Sequence, residues 1–489
     1  MTGNSELAAD AENARFAWRP LEVSDRLQAQ TQQFQLFIDS PNFTPEFLTE
    51  FLCNYHRHAT YLIENYSEQG NHLLFEAQRT LAAGTFFPEF KEAAAWRKSG
   101  VDILNKEIKV QVYDDGGQFE LDPHYHLATI QIFYKALQIA DLGNFRNDFP
   151  QSYISTLEKM MVYYLNITFP DYTNPCFSDA KITGKKEVLG QYKDWSELFP
   201  DNQFIKYKAT DGKEGALPDY LCKGFETTGY YVFRNGWGED ATQMVVKAGP
   251  PAFWHNQPDN GTFELWYNGK SLFQDSGSYV YAGDAEVMQW RNWFRSSKVH
   301  NTVTLGDKNF ETTDSRTLLW KPDAETPILV TENASYKDYL HRRSVFFVEK
   351  KYFVIVDEIS GAAKGTVNLH YQMPKGKVDN SREDMTFTTV FDGQSNMKLQ
   401  VFCGDEMGMK KEEGWISTAY MKKVKRINAS FNVKKRPGET VKYITVIVPF
   451  ETAGQAPKID ASFKGKQSGS NMQLSVKVGK AKKTIGYKL

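Results

Sequence analysis

The spacing of apolar residues changes once along this chain, from helical to alternating, and that change restricts the folds open to it. Up to about residue 215 the apolar positions recur every three or four residues. In "SPNFTPEFLTEFLCNYHRHATYLIENY", Thr44 is placed to cap a helix that begins at Pro45, and Leu48, Phe51, Leu52, Tyr55, Ala59 and Leu62 share one face. "PEFKEAAAWRKSGVDILNKEI", "HLATIQIFYKALQIA" and "SYISTLEKMMVYYLNIT" repeat that spacing with short polar connections, as antiparallel helix pairs require. Beyond about Gly229 the period falls to two in "GYYVFRNGWG", "ATQMVVKAG", "SVFFVEKKYFVIVDEIS", "DMTFTTVF", "VKYITVIVPF" and "MQLSVKVGKAKKTIGYKL". Such runs pack as an antiparallel sandwich. The sequence therefore predicts a multidomain α+β chain, helical over 1–220 and an antiparallel β-sandwich over 221–489. The stretch from about 170 to 225, rich in Pro, Gly, Asp and Lys, is read as the join.

At 489 residues the chain exceeds what one hydrophobic core usually supports. No run of about 18 apolar residues occurs, so no membrane helix is predicted. The start, "MTGNSELAADAENARFAWRP", carries neither the basic n-region nor the apolar h-region of a signal peptide. Cys53, Cys176, Cys222 and Cys403 are far apart and match neither a zinc finger nor a disulfide framework. Residues 401–489 hold 18 Lys and Arg against 7 Asp and Glu, while the remainder holds 40 against 53. Two readings fit "KKVKR" (422–426) and "KKR" (434–436): a surface for a polyanion, or lysines that keep strand edges from pairing. G-x-G-x-x-G, Walker A, G-x-S-x-G and H-E-x-x-H are all missing. Dinucleotide redox chemistry and phosphoryl transfer have no support, and nucleic acid is not a predicted partner.

Polar residues with chemistry collect in "AFWHNQPDNGTFELWYNGKSLFQDSG" (252–277). Asn268-Gly269 is a type I′ turn signal that sets Tyr267 opposite Lys270 and, by continued register, Thr262 opposite Asp275. "PDNG" (258–261) is a second turn, so His255 and Gln257 fold back toward Asp275, and in an extended segment they point to one side. His300, in "WFRSSKVHNTVTLG", enters another strand pattern. Gln257, Asp275 and His300 can supply oxygen and nitrogen ligands to a divalent ion with His255 beside them, or can form a buried hydrogen-bonded network. Asn71 and His72 in "GNHLLFEA" stand at a helix start, as do His124, Tyr125 and His126 in "YDDGGQFELDPHYHLA". Capping accounts for polar residues there. A tyrosine between two histidines also suits proton transfer, if its surroundings lower its pKa.

"GNH", "PHYH", "WHNQPDNGTFELWYNGKSLFQDSGSY" and "RSSKVHNTVTLG", in that order, resemble the heparinase II/III superfamily of polysaccharide lyases, most of all its heparan sulfate-cleaving branch. The resemblance covers essentially the whole chain. It implies an incomplete (α/α) helical toroid followed by an antiparallel β-sandwich, the chain starting inside the toroid and leaving apolar helix faces exposed. Related lyases carry H-x-H-x-D-x-G where this chain has Gln257 in place of the second histidine. It further implies one divalent ion, structural in role, on Gln257, Asp275 and His300, with its identity open among Ca, Mn and Zn. A monomer acting in the periplasm or outside the cell is implied as well.

The activity implied is β-elimination at a hexuronic acid of an acidic polysaccharide such as heparan sulfate or heparin. On that reading Asn71 neutralises the uronate carboxylate with His72 assisting, and His124 binds substrate. Tyr125 abstracts the C5 proton and protonates the leaving oxygen, and His255 is a second acid–base group. Rival readings are a lyase of another uronate polymer such as alginate, a non-catalytic polysaccharide-binding protein, and a glycoside hydrolase. A hydrolase needs two carboxylates, and Glu76, Asp114, Asp115, Glu120 and Asp122 are available.

Overall fold

Residues 15–252, 254–465 and 468–489 are described by the structure, a computed structural model. The chain forms two compact units, Met1–Gln118 with His126–Met161, and Phe119–Tyr125 with Val162–Leu489. The first is built from helices Pro20–Phe37, Pro45–Glu64, Gly70–Phe86 and Ala93–Gln111, with the greater part of Pro123–Leu142 and Gln151–Ile167. Thr44 Oγ1 accepts from the Phe47 amide at 3.3 Å ahead of Pro45, as the sequence predicts. Phe51, Tyr55, Ala59 and Leu62 join Trp18, Leu27, Phe87 and Trp96 in one core. Glycine sets the spacing of two neighbouring helices: a Cβ on Gly84 would lie 2.3 Å from the Ala93 carbonyl, and one on Gly100 2.6 Å from that of Ala77. Phe16, Leu36, Phe37, Ile38 and Phe47 are exposed on this unit.

Antiparallel sheets make up most of the second unit. An eight-stranded sheet lies at its centre, and the register of its hairpin Leu340–Val348 and Tyr352–Ser360 explains why that stretch reads as almost continuously apolar. Val345, Phe347, Phe353 and Ile355 face the main core. Phe346, Val348, Tyr352 and Val354 face the other way, onto the C-terminal three-stranded sheet. With both faces buried, alternation selects between two cores rather than between core and water.

Two expectations change here. The join is not a plain linker: it contains helices Lys185–Leu198 and Gln203–Ala209. The first is anchored by buried Val188, Tyr192 and Trp195, a helical spacing hidden among charged residues, and starts where Glu187 accepts from the Gly184 amide at 2.7 Å. The lysine-rich run 422–426 does not guard an edge either. Its strand, Lys422–Lys435, lies between Gly408–Ala419 and Gly365–Gln372. Arg426 is buried and donates to the Gln274 carbonyl and Ser276 Oγ, while Lys435 donates to the carbonyls of Gly361 and Ala363. Among the described residues no helix is long and apolar enough to cross a membrane.

Candidate active site

The segments that carry His255 and His300 are stitched into one piece. Arg343 donates to the carbonyls of Gly261 and Asn301, at 2.6 Å each, while Asp357 holds its Nε at 2.7 Å. Burial alone would raise the Asp357 pKa, but Arg343 and His341 more than offset it and hold it at about 2. Thr302 Oγ1 donates to the Asn260 carbonyl, and Ser297 Oγ to that of Pro258. Lys247, buried, donates to Ser178 Oγ, Asn256 Oδ1 and Asp259 Oδ2 at 2.7–2.9 Å. Loop 254–261 therefore has little freedom, and His255 has a fixed root.

The ring of His255 lies on that of Tyr125, with centroids 3.7 Å apart and planes 14° from parallel. Its Nδ1 is 3.1 Å from Asp179 Oδ2, and since a carboxylate only accepts, Nδ1 carries the proton and Nε2 is the basic nitrogen. Glu120 Oε2 is 3.7 Å from that Nε2. Asp179 is wholly buried and takes both guanidiniums of Arg291 and Arg295, along with the Gln257 amide at 3.1 Å. Burial would raise its pKa, yet the bonds from His255 and Arg291 and the charges of the two arginines hold it below the usual carboxylate range. His255 and Gln257 do reach the same side, as read from the sequence. They do so through a turn at Trp254, where φ is 43°, rather than along an extended strand.

Tyr125 departs from the expectation of a lowered pKa. Burial pushes the phenol up to about 12, helped by the charges of Asp122, Glu120 and Asp179, while a hydrogen bond from Tyr281 works in the opposite direction. In the free protein the phenol is protonated. Asp122 caps the helix that carries it, Oδ1 accepting from the amides of His124 at 2.8 Å and Tyr125 at 3.0 Å. The second oxygen of Asp122 is buried without a partner, and burial raises that carboxyl to about 7. His124 lies edge-on to Tyr125 at 6.0 Å with its Nδ1 buried and unpartnered. His126 is structural: it receives the Gln118 amide on Nδ1, and its Nε2 lies 2.9 Å from the Met160 carbonyl.

Asn71 and His72 belong to the first unit, at the start of helix Gly70–Phe86 behind Gly70 with φ 79°. Capping does not explain Asn71. The cap position is Gln69, without a side-chain bond, and the half-buried Asn71 amide has no hydrogen-bond partner among the described residues.

The hairpin within residues 252–277 keeps its turn, with Asn268 and Gly269 both at positive φ and Tyr267 opposite Lys270. Its ladder ends early, so Thr262 and Asp275 do not pair. The Asp275 amide instead donates to Glu264 Oε1 at 3.1 Å, beside the Cys176 amide at 2.6 Å. His300 Nδ1 donates to Asp275 Oδ2 at 2.7 Å, both residues being fully buried. Gln257 donates from Nε2 to the Ser178 carbonyl at 2.6 Å. Gln257 Oε1, His300 Nε2 and Glu264 Oε2 are buried with no partner, and burial together with Asp275 raises Glu264 to about 8. The orphaned lone pairs of Gln257 Oε1 and His300 Nε2 suit a divalent ion. Among the described residues no group of three or more His, Cys, Asp and Glu stands together to hold one, so the amide oxygen of Gln257 has to complete any such set.

Asp179, Arg291, Arg295, Tyr281 and Arg343 escaped the sequence reading. Arg291 and Arg295 did leave a signal, two cations four apart at the end of a helix, one in its last turn and one at its C-cap. Asp179 lies in an aperiodic stretch and left none.

Residues 3–207 match the model of the heparinase II/III N-terminus, and residues 218–462 that of the heparinase II/III-like C-terminal domain. The chain is 67% identical to a heparin-sulfate lyase of Bacteroides stercoris over all of its own length and 74% of that protein. It is 44% identical to one of Pedobacter heparinus over 93% of this chain and 69% of the relative. A solved heparinase III structure superposes with a TM-score of 0.92 at 66% identity, covering all of this chain and 77% of that one.

Proposed function

This chain belongs to the heparinase II/III family, and on that premise we propose that it is a polysaccharide lyase cleaving heparan sulfate by β-elimination at a hexuronic acid, leaving an unsaturated uronate on one product. The observation that carries the chemistry is the stacked pair of Tyr125 and His255, one an acid with its proton in place, the other a base oriented by Asp179.

The C5 proton of a uronate is barely acidic while the adjacent carboxylate is charged. In this reading Asn71 donates to that carboxylate, with His72 assisting, and stabilises the developing enolate by about 3–4 kcal/mol. Where C5–H and the leaving oxygen lie on opposite faces, as in iduronate, two groups are required, His255 taking the proton and Tyr125 delivering its own once the two stacked rings part to admit the sugar. Where they share a face, as in glucuronate, Tyr125 acts at both steps and must first ionise, which the hydrogen bond from Tyr281 favours. His124 contributes to substrate binding from beside Tyr125. Gln257, Asp275 and His300 would hold a divalent ion, whose contribution is to fix the hairpin root near His255.

The hydrolase reading loses three of its five carboxylates: Glu120 and Asp122 are buried, Asp122 serves as a helix cap, and Glu76 is buried on the amide and hydroxyl of Ser67. The test is to incubate the protein with heparan sulfate, alginate, chondroitin and hyaluronan and to follow ultraviolet absorbance from a new C4=C5 bond. Absorbance with heparan sulfate is expected. Reducing ends without absorbance would instead establish a hydrolase, and absorbance with alginate alone a different lyase.

A further inference from the structure

We propose that Lys181, Tyr281 and Tyr420 form a subsite that binds an anionic substituent, sulfate or carboxylate, on the sugar next to the cleaved bond. The inference rests on the lyase reading above and extends it. Tyr281 is the link to the chemistry: its hydroxyl bonds to Tyr125, and its ring stands edge-on to His255 at 5.8 Å and 79°. The ring of Tyr420 lies near-parallel to that of Tyr281, with centroids 6.2 Å apart and planes 29° from parallel. Lys181 Nζ is 5.7 Å from both centroids.

Lys181 differs from the other lysines around it. Lys423 packs on Trp290 at 2.7 Å, and Lys425 is paired with Glu413 at 2.8 Å. Among the described residues Lys181 Nζ has neither a hydrogen bond nor a carboxylate within ion-pair range; its neighbours are the two ring faces and His124, whose pKa is lowered first by burial and then by the Lys181 charge. A cation left with aromatic neighbours keeps its attraction for an incoming anion, and an exposed ring face packs against the C–H face of a sugar. Tyr420 is 46% exposed and so can be such a face.

The arrangement is also held in place. The tip that carries Tyr420 is fastened to both neighbouring segments: the Ile182 amide donates to the Thr418 carbonyl at 3.4 Å, and the Met421 amide to that of Tyr279 at 2.9 Å. Ser417 N donates to the Ser276 carbonyl at 2.9 Å. Lys181, Tyr281 and Tyr420 thus lie on three chain segments joined by backbone bonds, with one end of the group on the proton-transferring tyrosine. Preorganisation of this kind lowers the cost of ordering on binding.

The test measures binding rather than turnover. In a Tyr125→Phe background, the affinity of a size-defined heparan sulfate oligosaccharide and of its desulfated counterpart is determined by calorimetry for the parent, Lys181→Gln, Lys181→Arg and Tyr420→Ala. Lys181→Gln is expected to weaken binding on the order of tenfold, with Lys181→Arg restoring most of it. Tyr420→Ala is expected to weaken binding with Lys181 intact. Loss confined to the sulfated ligand identifies sulfate as the group bound, and equal loss on both identifies the carboxylate. Unchanged affinity of both ligands in Lys181→Gln, at an unchanged melting temperature, overturns the subsite, as does full affinity in Tyr420→Ala. Failure of the lyase reading shows separately, as wild-type protein that gives no C4=C5 absorbance from any of the four polymers.

Discussion

Tyr125 and His255 lie face to face, 3.7 Å between ring centroids, although 129 residues of sequence separate them. Phenylalanine at 125 preserves that stack and removes only the hydroxyl. Tyr125→Phe should lower kcat on heparan sulfate by a factor of about a hundred to ten thousand while the melting temperature stays within a degree or two. Steady-state rates and a thermal melt decide it, and a variant with wild-type turnover would remove Tyr125 from the mechanism.

Asp179 compensates Arg291 and Arg295 and orients His255. Asp179→Asn leaves two guanidiniums without their counter-charge, a change that costs about 3–5 kcal/mol when a buried pair loses one member. Because the folded-state pKa of Asp179 is lowered, its contribution is present above the ordinary carboxylate range and is lost as pH falls through the folded value. Urea unfolding at pH 7 should therefore separate the variant from the parent. Equal midpoints would show that the arginines find compensation elsewhere.

Glu264 behaves in the opposite sense. Its folded-state pKa of about 8 exceeds the ordinary 4.5, so the folded chain binds the extra proton. The contribution of this one group is complete below about pH 4.5, declines as pH rises from there, and is gone above about 8. Glu264→Gln keeps an acceptor for the Cys176 and Asp275 amides without the titration. With chelator present, the variant should gain melting temperature relative to the parent at pH 8.5 and little at pH 5. A parent whose stability is flat across that range would contradict the buried, protonated carboxyl.

Metal analysis should find one divalent ion per chain. Its removal by chelation should lower the melting temperature by several degrees, with recovery on readdition and no chelator response in His300→Ala. If the purified protein carries no ion and chelation leaves its melt unchanged, the orphaned atoms of Gln257, His300 and Glu264 are satisfied in another way.

Two glycines give opposite signs for one substitution. A Cβ on Gly84 meets the Ala93 carbonyl at 2.3 Å, so Gly84→Ala should destabilise by about 1–3 kcal/mol. Gly190 is exposed on helix Lys185–Leu198 with nothing within 4 Å of that position, so Gly190→Ala should stabilise by about 0.5–1 kcal/mol. A Gly84→Ala denaturant midpoint that does not fall would undermine the packing described for Gly84, and a Gly190→Ala midpoint that falls would contradict the open space at Gly190.

Local patterns made much of this protein legible from the sequence. The Thr44–Pro45 cap, the Asn268-Gly269 turn and the alternation through 340–360 depend on neighbours a few residues away, and backbone sterics and hydrophobic period decide such features directly. The order of its motifs likewise pointed to the family. Folding alone decided the long-range electrostatics. Arg343 ties Gly261 to Asn301, Asp179 meets Arg291 from 112 residues away, and Tyr281 sits on Tyr125, none of which any spacing encodes. The same holds for the pKa of Tyr125, raised rather than lowered. A side chain's proton affinity is set by what is buried around it and by charges that only tertiary packing brings within range.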